Sequence, residues 1–480
     1  DLQDPYYTLV SFHSLYRLIC MAVVRHHRLE DKNHTVAPTL PIIGNLHQLG
    51  QLPHRSLWNV SKKYGPLMLL HLGSKPTLVV SSADVAKQIL KTHDLAFSDK
   101  PALTSLKKIF YDLNDVLTLP YGDQWRKLRS VFVHDCWVLN TNTQVNTRVK
   151  SFSPVRDEEI RFLVDKIRSR CDSSVNLTDT FVSFTNDLIC RTAFGTKRMS
   201  ETEHGKKFLE AMDAAVGLVS KITVGDFVPW LGWINRLNGF NAELDRCATR
   251  KDDVMDAVIE EHLKVGPTGS GDNFVDILLG IYKGNTPGVS IDLISVKALI
   301  LHPTVMKKLQ DEIRHIMQEK QHITDEDIRK MQYLKAVIKE TFRYHPTIAT
   351  FLHKSREYVN LIGCYDIPPK TMVMINTWAI GRDPSYWDEP ERYMPERFLN
   401  STVDIKGFDF QLLPFGAGSR ICPGIGFAET SIEHTIANLV HKFDWALPDG
   451  MKGEDLDVTE KHGLSLRKKL PLIVVPTSKC

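Results

Sequence analysis

The chain has 480 residues, a length that a simple rule divides into about three domains but that single-core enzymes also reach. Apolar residues make up 42% and charged residues 24%, an ordinary globular balance that gives no hint of disorder. A formal net charge of +3 is too small to point to nucleic acid, so polyanion binding is set aside.

At the N-terminus, residues 6–24 are moderately apolar, but His13 and Arg17 interrupt them, and a spanning helix wants ~20 mostly apolar residues. The chain begins with Asp1 and not Met, which leaves an upstream anchor or signal open. A basic stretch, RHHRLEDKNH, then leads into segments punctuated by Pro38, Pro41, Gly44 and Pro53. Residues 1–37 therefore read as an anchor remnant and linker, and 38–480 as one domain.

After Tyr64-Gly65-Pro66, the runs LMLLHLG and TLVVSS around Ser74-Lys75-Pro76 predict a β-hairpin. From Ala83 onward the periodicity turns helical, with amphipathic helices predicted over 157–170, 203–220, 241–263 and 303–319. The Asn/Thr-rich stretch within His134–Lys150 reads as loop, and 266–273, GPTGSGDN, is a short low-complexity patch. Thr324-Asp-Glu-Asp reads as a helix N-cap with early acids. Beyond Pro346, short apolar runs divided by Gly, Pro and Asp predict strands, before a last helix over 425–442. The fold class is mainly α with a small β region.

Eight cysteines, at 20, 136, 171, 190, 247, 364, 422 and 480, form no C-x-x-C pair, which favours a reducing compartment. The sequons at Asn33, Asn176 and Asn400 carry no weight without evidence of secretion.

Cys422 stands apart because of its setting, Pro414-Phe-Gly-Ala-Gly-Ser-Arg-Ile-Cys-Pro-Gly-Ile-Gly426. Glycines allow tight turns and close approach to a flat ligand. A cysteine just ahead of a helix is biased toward thiolate, the form that ligates metal. Arg420 adds a fixed charge suited to a carboxylate. Two plainer readings compete: a buried small hydrophobe, and a nucleotide loop, although neither glycine run completes G-x-G-x-x-G. Elsewhere, Glu340 and Arg343 share a helical face at i, i+3, as do Trp125 and Arg129 at i, i+4; alone, both pairs would pass for surface features.

Phe415-Gly416-Ala-Gly418-Ser-Arg420-Ile-Cys422-Pro-Gly424 resembles the haem signature of the cytochromes P-450, F-x-x-G-x-R-x-C-x-G, at every fixed position. Lys339-Glu-Thr-Phe-Arg343 resembles the family's E-x-x-R helix, and Pro395-Glu-Arg-Phe398 the later segment whose arginine joins that pair. The likeness extends from LPIIGNLHQLG through FSDKP at 97–101 and AIGRDP at 379–384, and is closest to plant microsomal members of the seventy-one clan.

The resemblance implies an α-rich triangular prism and haem b, with its iron on Cys422 as sole metal ligand. Arg420, Trp125, Arg129 and His353 would serve the propionates, and Phe415, Gly416, Gly418 and Gly424 would shape the cofactor loop. His353 is preceded by Leu352 where the family usually has proline. Glu340, Arg343 and Arg397 would form a buried structural network. It further implies oxygen insertion from O2 into a small lipophilic secondary metabolite. Electrons would come from NADPH through a flavoprotein reductase at the cytoplasmic face of the endoplasmic reticulum membrane. Variable segments near 100–115, 190–230 and 462–466 would contact substrate.

One departure limits this. The family's central distal helix carries A-G-x-[DE]-T, whose acid and alcohol relay protons; here ISVKALIL runs straight into HPTVMKKLQDEI, and the motif occurs nowhere. About two dozen residues are missing by comparison, leaving a stub too short to cross a haem at ~1.5 Å per residue. No catalytic acid or alcohol is identifiable. Three readings follow: an active monooxygenase, a haem-binding but impaired pseudoenzyme or splice product, and a helical interaction protein without haem.

Overall fold

The computed structural model describes residues 38–480 except 132, 134–146, 195–197, 202, 220, 222, 266–293, 319, 362–364, 462, 464 and 480. The linker over 1–37 and the patch at 266–273 lie outside these.

In chain order the main elements are α1 (Pro53–Tyr64), β1 (Leu67–Leu72), β2 (Lys75–Val80), α2 (Asp123–Val131) and α3 (Ser153–Arg168). Then come β3 (Val175–Asn176), α4 (Leu177–Phe194), α5 (Glu203–Val219), α6 (Phe240–Val265), α7 (Ile294–Leu301), α8 (Pro303–Met317) and α9 (Gln332–Tyr344). The C-terminal part holds β4 (Thr350–Lys354), β5 (Met372–Asn376), α10 (Ile425–Lys442), β6 (Phe443–Ala446), β7 (Glu460–Lys461), β8 (Arg467–Lys468) and β9 (Ile473–Ser478).

The predicted hairpin forms, with β1 and β2 antiparallel about Gly73-Ser74. Gly73 has φ +58°, and a Cβ there would meet the Phe227 carbonyl, so the turn needs glycine. This hairpin is half of a four-stranded sheet of order β1-β2-β5-β4, in which only β2 and β5 run parallel. A second sheet, β3-β9-β6, ties the chain's end to its middle.

The predicted helices appear close to their expected bounds. α8 starts with Pro303 at its first turn, where a missing N–H costs nothing, and its Val305, Leu309 and Ile313 face the core. Thr324 caps the next short helix through a capping box with Asp327. The largest core cluster joins α3, α4, α7, α8, α9 and α10, for example Leu163, Leu188, Leu309, Leu334 and Ile436. Each such side chain contributes roughly 1.5–3 kcal/mol by leaving water. It is this core that seats α9 and α10, the two helices beside the Cys422 loop.

The Asn/Thr run read as loop lies outside the described residues up to 146, and directly after it Thr147–Ser151 is helical, with Val149 buried in the main core. In α7, Ala298, Leu299 and Ile300 are buried, and only His302 separates it from α8. Among the described residues, no helix is long and apolar enough to cross a membrane.

Candidate cofactor site

Cys422 lies two residues ahead of the Gly424 N-cap of α10, beside the unpaired N–H groups of a helix start. Its own N–H donates to the Phe415 carbonyl at 3.0 Å, which closes the loop on itself. Phe415 packs edge-on against Phe342 of α9, 5.5 Å between centroids, so the loop is fixed to the core. Gly416 and Gly418 have φ of +73° and +69°, and a Cβ on Gly418 would strike the Leu90 carbonyl. Asp94 anchors the same turn by accepting from the Ser419 N–H at 2.9 Å and hydroxyl at 3.0 Å.

Burial pushes the Cys422 thiol up, while the Gly424 N–H and the Arg129 guanidinium pull it down. The expected bias toward thiolate is therefore corrected: the helix start and the cation act in the foreseen direction, but desolvation is larger. A bound metal cation would reverse that balance, because a coordinating thiol is deprotonated outright.

Cationic side chains gather beside the cysteine. Arg420 donates to the Ser98 carbonyl at 2.8 Å and the Leu119 carbonyl at 2.6 Å, and its guanidinium lies 4.2 Å from the Trp125 ring centre. Trp125 is buried and donates from Nε1 to the Val116 carbonyl at 2.9 Å. Arg129, one turn later on α2, donates to the Ile421 carbonyl. His353 on β4 is buried with Nδ1 at 2.9 Å from the Phe97 carbonyl, and its Nε2 lies 3.4 Å from Lys100 Nζ.

Lys100 is the residue that sequence reasoning did not single out, although FSDKP contains it. Its ammonium donates to the Leu352 carbonyl at 2.9 Å, and burial with the nearby Arg420 charge lowers it to about 7. Burial likewise lowers Arg420 to about 10, lowers Arg129, and holds His353 well below its ordinary value. Asp99, Asp115 and Asp94 offset part of this at Arg420, yet among the described residues its direct acceptors are backbone carbonyls. Buried cations that burial pushes toward neutrality are short of anions. A free thiol beside such a cluster suits a metal-bearing ligand with carboxylate arms, and haem has both.

Glu340, Arg343 and Arg397 come together under this loop. Arg343 donates to Glu340 at 2.6 and 2.8 Å and places its other three N–H groups on the Gly381, Pro390 and Arg392 carbonyls. Glu340 also accepts from the Met394 N–H at 2.6 Å and from Arg397 Nε at 3.3 Å. Every donor of the guanidinium is used, the condition under which a buried ion pair is tolerated.

The fold is α-rich, with Cys422 in a glycine-turned loop ahead of the largely buried α10, and comparison with known proteins supplies the family. The cytochrome P-450 family model matches residues 35–296 and 293–475, and the chain belongs to that family. It is 45% identical to cytochrome P-450 736A117 of Prunus mume, over 91% of this chain and 89% of that protein. It is 44% identical to norfluorocurarine oxidase of Strychnos, over 91% of both chains. With cytochrome P-450 71A2 of Solanum melongena the identity is 43% over 516 residues, 99% of each chain. That span exceeds this chain's own length, so the relative carries stretches this chain lacks. A zebrafish cytochrome P-450 solved with abiraterone shares the fold at TM-score 0.73 and 22% identity, covering 90% of this chain and 100% of that one. The family consists of monooxygenases. The family match breaks within a few residues of α7, where the sequence lacks A-G-x-[DE]-T.

Proposed function

We propose that residues 38–480 are a haem-thiolate monooxygenase domain in which Cys422 is the axial ligand of haem b. The observation that carries this is the free thiol just ahead of α10 beside the part-buried cations Arg129, Arg420 and Lys100 and the buried His353. Those four and Trp125 would hold the propionates, while Phe415, Gly416, Gly418 and Gly424 shape the loop against the macrocycle. Glu340, Arg343 and Arg397 keep the loop's floor rigid and touch no substrate. Bound haem supplies the redox chemistry, insertion of one oxygen atom from O2 into a small lipophilic substrate of the secondary-metabolite kind. The names of norfluorocurarine oxidase and of tabersonine/lochnericine 19-hydroxylase of Catharanthus roseus, 42% identical, support that class. Electrons would come from NADPH through a flavoprotein reductase.

Location at the cytoplasmic face of the endoplasmic reticulum membrane is supported by an exposed apolar face. Ile42, Ile43, Trp230, Trp233 and Leu237 are exposed, the last at 77%. Their segments meet at the β1–β2 turn, where the Gly73 N–H donates to the Ile43 carbonyl and the Ser74 N–H to the Phe227 carbonyl. Exposed tryptophans beside aliphatics suit a bilayer interface.

A second reading is favoured by the direct join of α7 to α8 through His302: a haem-binding but catalytically impaired product that lacks most of the distal helix. Reduced carbon monoxide difference spectroscopy tests the thiolate site. NADPH consumption and product formation with a plant reductase divide the two readings. A protein with no thiolate-type spectrum would sink both.

A further inference from the structure

Residues 104–113 are held in a shape that their own sequence resists. Tyr111, Asp112 and Leu113 have φ of +48°, +55° and +67°, the left-handed region that side chains rarely adopt, and none of them is glycine. Such strain persists only where the surroundings over-determine it. The short helix before them, Thr104–Ile109, gets no side-chain cap from its own N-cap residue, Leu103.

What holds the segment comes from elsewhere in the chain. At its start, one oxygen of Asp226 accepts from the Thr104 N–H at 2.8 Å and the Thr104 hydroxyl at 2.7 Å. The other oxygen accepts from the Thr223 N–H at 3.0 Å and the Thr223 hydroxyl at 2.9 Å. One carboxylate therefore caps two short helices, Thr104–Ile109 and Val224–Phe227, and its four acceptor sites are filled. At the other end, α6 supplies the contacts. Asp252 accepts from the Tyr111 hydroxyl at 2.7 Å, and Lys251 lies 3.5 Å from the centre of the Tyr111 ring while donating to the Ile109 carbonyl at 2.8 Å. Asp245, two turns earlier on the same face of α6, meets Lys108 at 2.7 Å. Ile109 is buried among Leu218, Phe240 and Leu244. Strain at 111–113 favours release, and these contacts oppose it.

We propose that Asp226 and Asp252 are positioning residues that hold 104–113 as a strained strap and thereby fix the shape this segment offers to a bulky ligand. Neither carboxylate touches that ligand: the oxygens of Asp226 are taken by protein donors, and Asp252 lies outside the segments expected to contact substrate. The strap needs no haem to form. Its effect on a ligand at the iron rests on the haem reading.

Hydrogen exchange of the full chain, read by mass spectrometry, tests the strap directly. Asp226→Ala should speed exchange by roughly fivefold, the scale of one or two lost hydrogen bonds, in both 104–109 and 223–228. Tyr111→Phe and Asp252→Ala should speed it in 104–113 alone, the double variant adding little to either, and Asp252→Asn, which keeps an acceptor, should retain most of the protection. Asp112→Val at this exposed position should loosen the strap because a β-branched residue is an outlier at that φ, whereas Asp112→Gly should not. On the ferric haem protein, the affinity for 4-phenylimidazole should shift by roughly fivefold in the loosened variants while that for imidazole stays constant. Unchanged exchange in Tyr111→Phe and Asp252→Ala would overturn the proposal, as would loosening of only one segment in Asp226→Ala. Equal shifts for the two imidazoles, or faster exchange that reaches α10, would do the same. A chain without a haem spectrum would sink the haem reading alone and leave hydrogen exchange to decide the strap.

Discussion

His302, the one residue between α7 and α8, lies flat on the ring of Tyr393, with centroids 4.5 Å apart and planes within 1°. Tyr393 is itself fixed, its hydroxyl 2.8 Å from the Thr341 hydroxyl in α9. Burial lowers the His302 pKa. The junction is therefore packed, and the chain as written closes its core without a longer helix there. His302→Ala should cost ~0.5–1.5 kcal/mol beyond area loss, read as a lower midpoint in chemical denaturation.

Packing at the junction does not replace a proton relay. General acid–base groups typically contribute ~10²–10⁴-fold, and the sequence provides no A-G-x-[DE]-T to carry them. With haem and a plant reductase, the unmodified chain should consume little NADPH productively. A version with a family-like central helix inserted after Leu301 should regain substrate oxidation. Robust coupled product formation by the unmodified chain would refute this.

Replacing Arg343 by Ala leaves the Glu340 carboxylate buried, with the Met394 N–H and Arg397 as its remaining donors. Loss of one partner from such a network costs ~3–5 kcal/mol. Soluble yield and haem content should fall together while product choice in the surviving fraction is unchanged. Normal haem content in the variant would count against the assignment.

Cys422→Ser should abolish the thiolate-type carbon monoxide spectrum, because the axial ligand sets haem electronics. Lys100→Met should retain that spectrum but bind haem more weakly, since it removes one cation near the proposed propionates. Competition for haem against a second haem-binding protein measures it. Unchanged haem retention would remove Lys100 from the site.

Glu433 on α10 gives a pH-dependent test away from the loop. Burial first, then Glu429 and Asp325, push its carboxyl up to about 7, opposed by Lys335 and Lys406. The folded state then holds a proton that the unfolded chain loses near 4.5, so this residue's contribution falls as pH rises from about 4.5 to about 7. Glu433→Gln should leave stability unchanged near pH 4 and raise it by roughly 1–3 kcal/mol above pH 7. Urea unfolding at the two pH values reads this, and a gain confined to acid pH would contradict it.

Local spacing carries its own physics, and this is why several elements were legible in the sequence. The i, i+3 interval of Glu340 and Arg343 makes them neighbours on any helix, and two short continuous apolar runs about Ser74-Lys75-Pro76 read as buried strands joined by a turn. The glycines around Cys422 announce a turned loop because other residues are strained at those angles. Tertiary structure alone decided the rest. Lys100, His353 and Arg420 meet from segments more than 60 residues apart, so no window of sequence could show that they share one site. Whether desolvation or the helix start governs the Cys422 thiol depends on how much protein surrounds it. Burial and the meeting of distant side chains are properties of distance in space, which chain order does not encode.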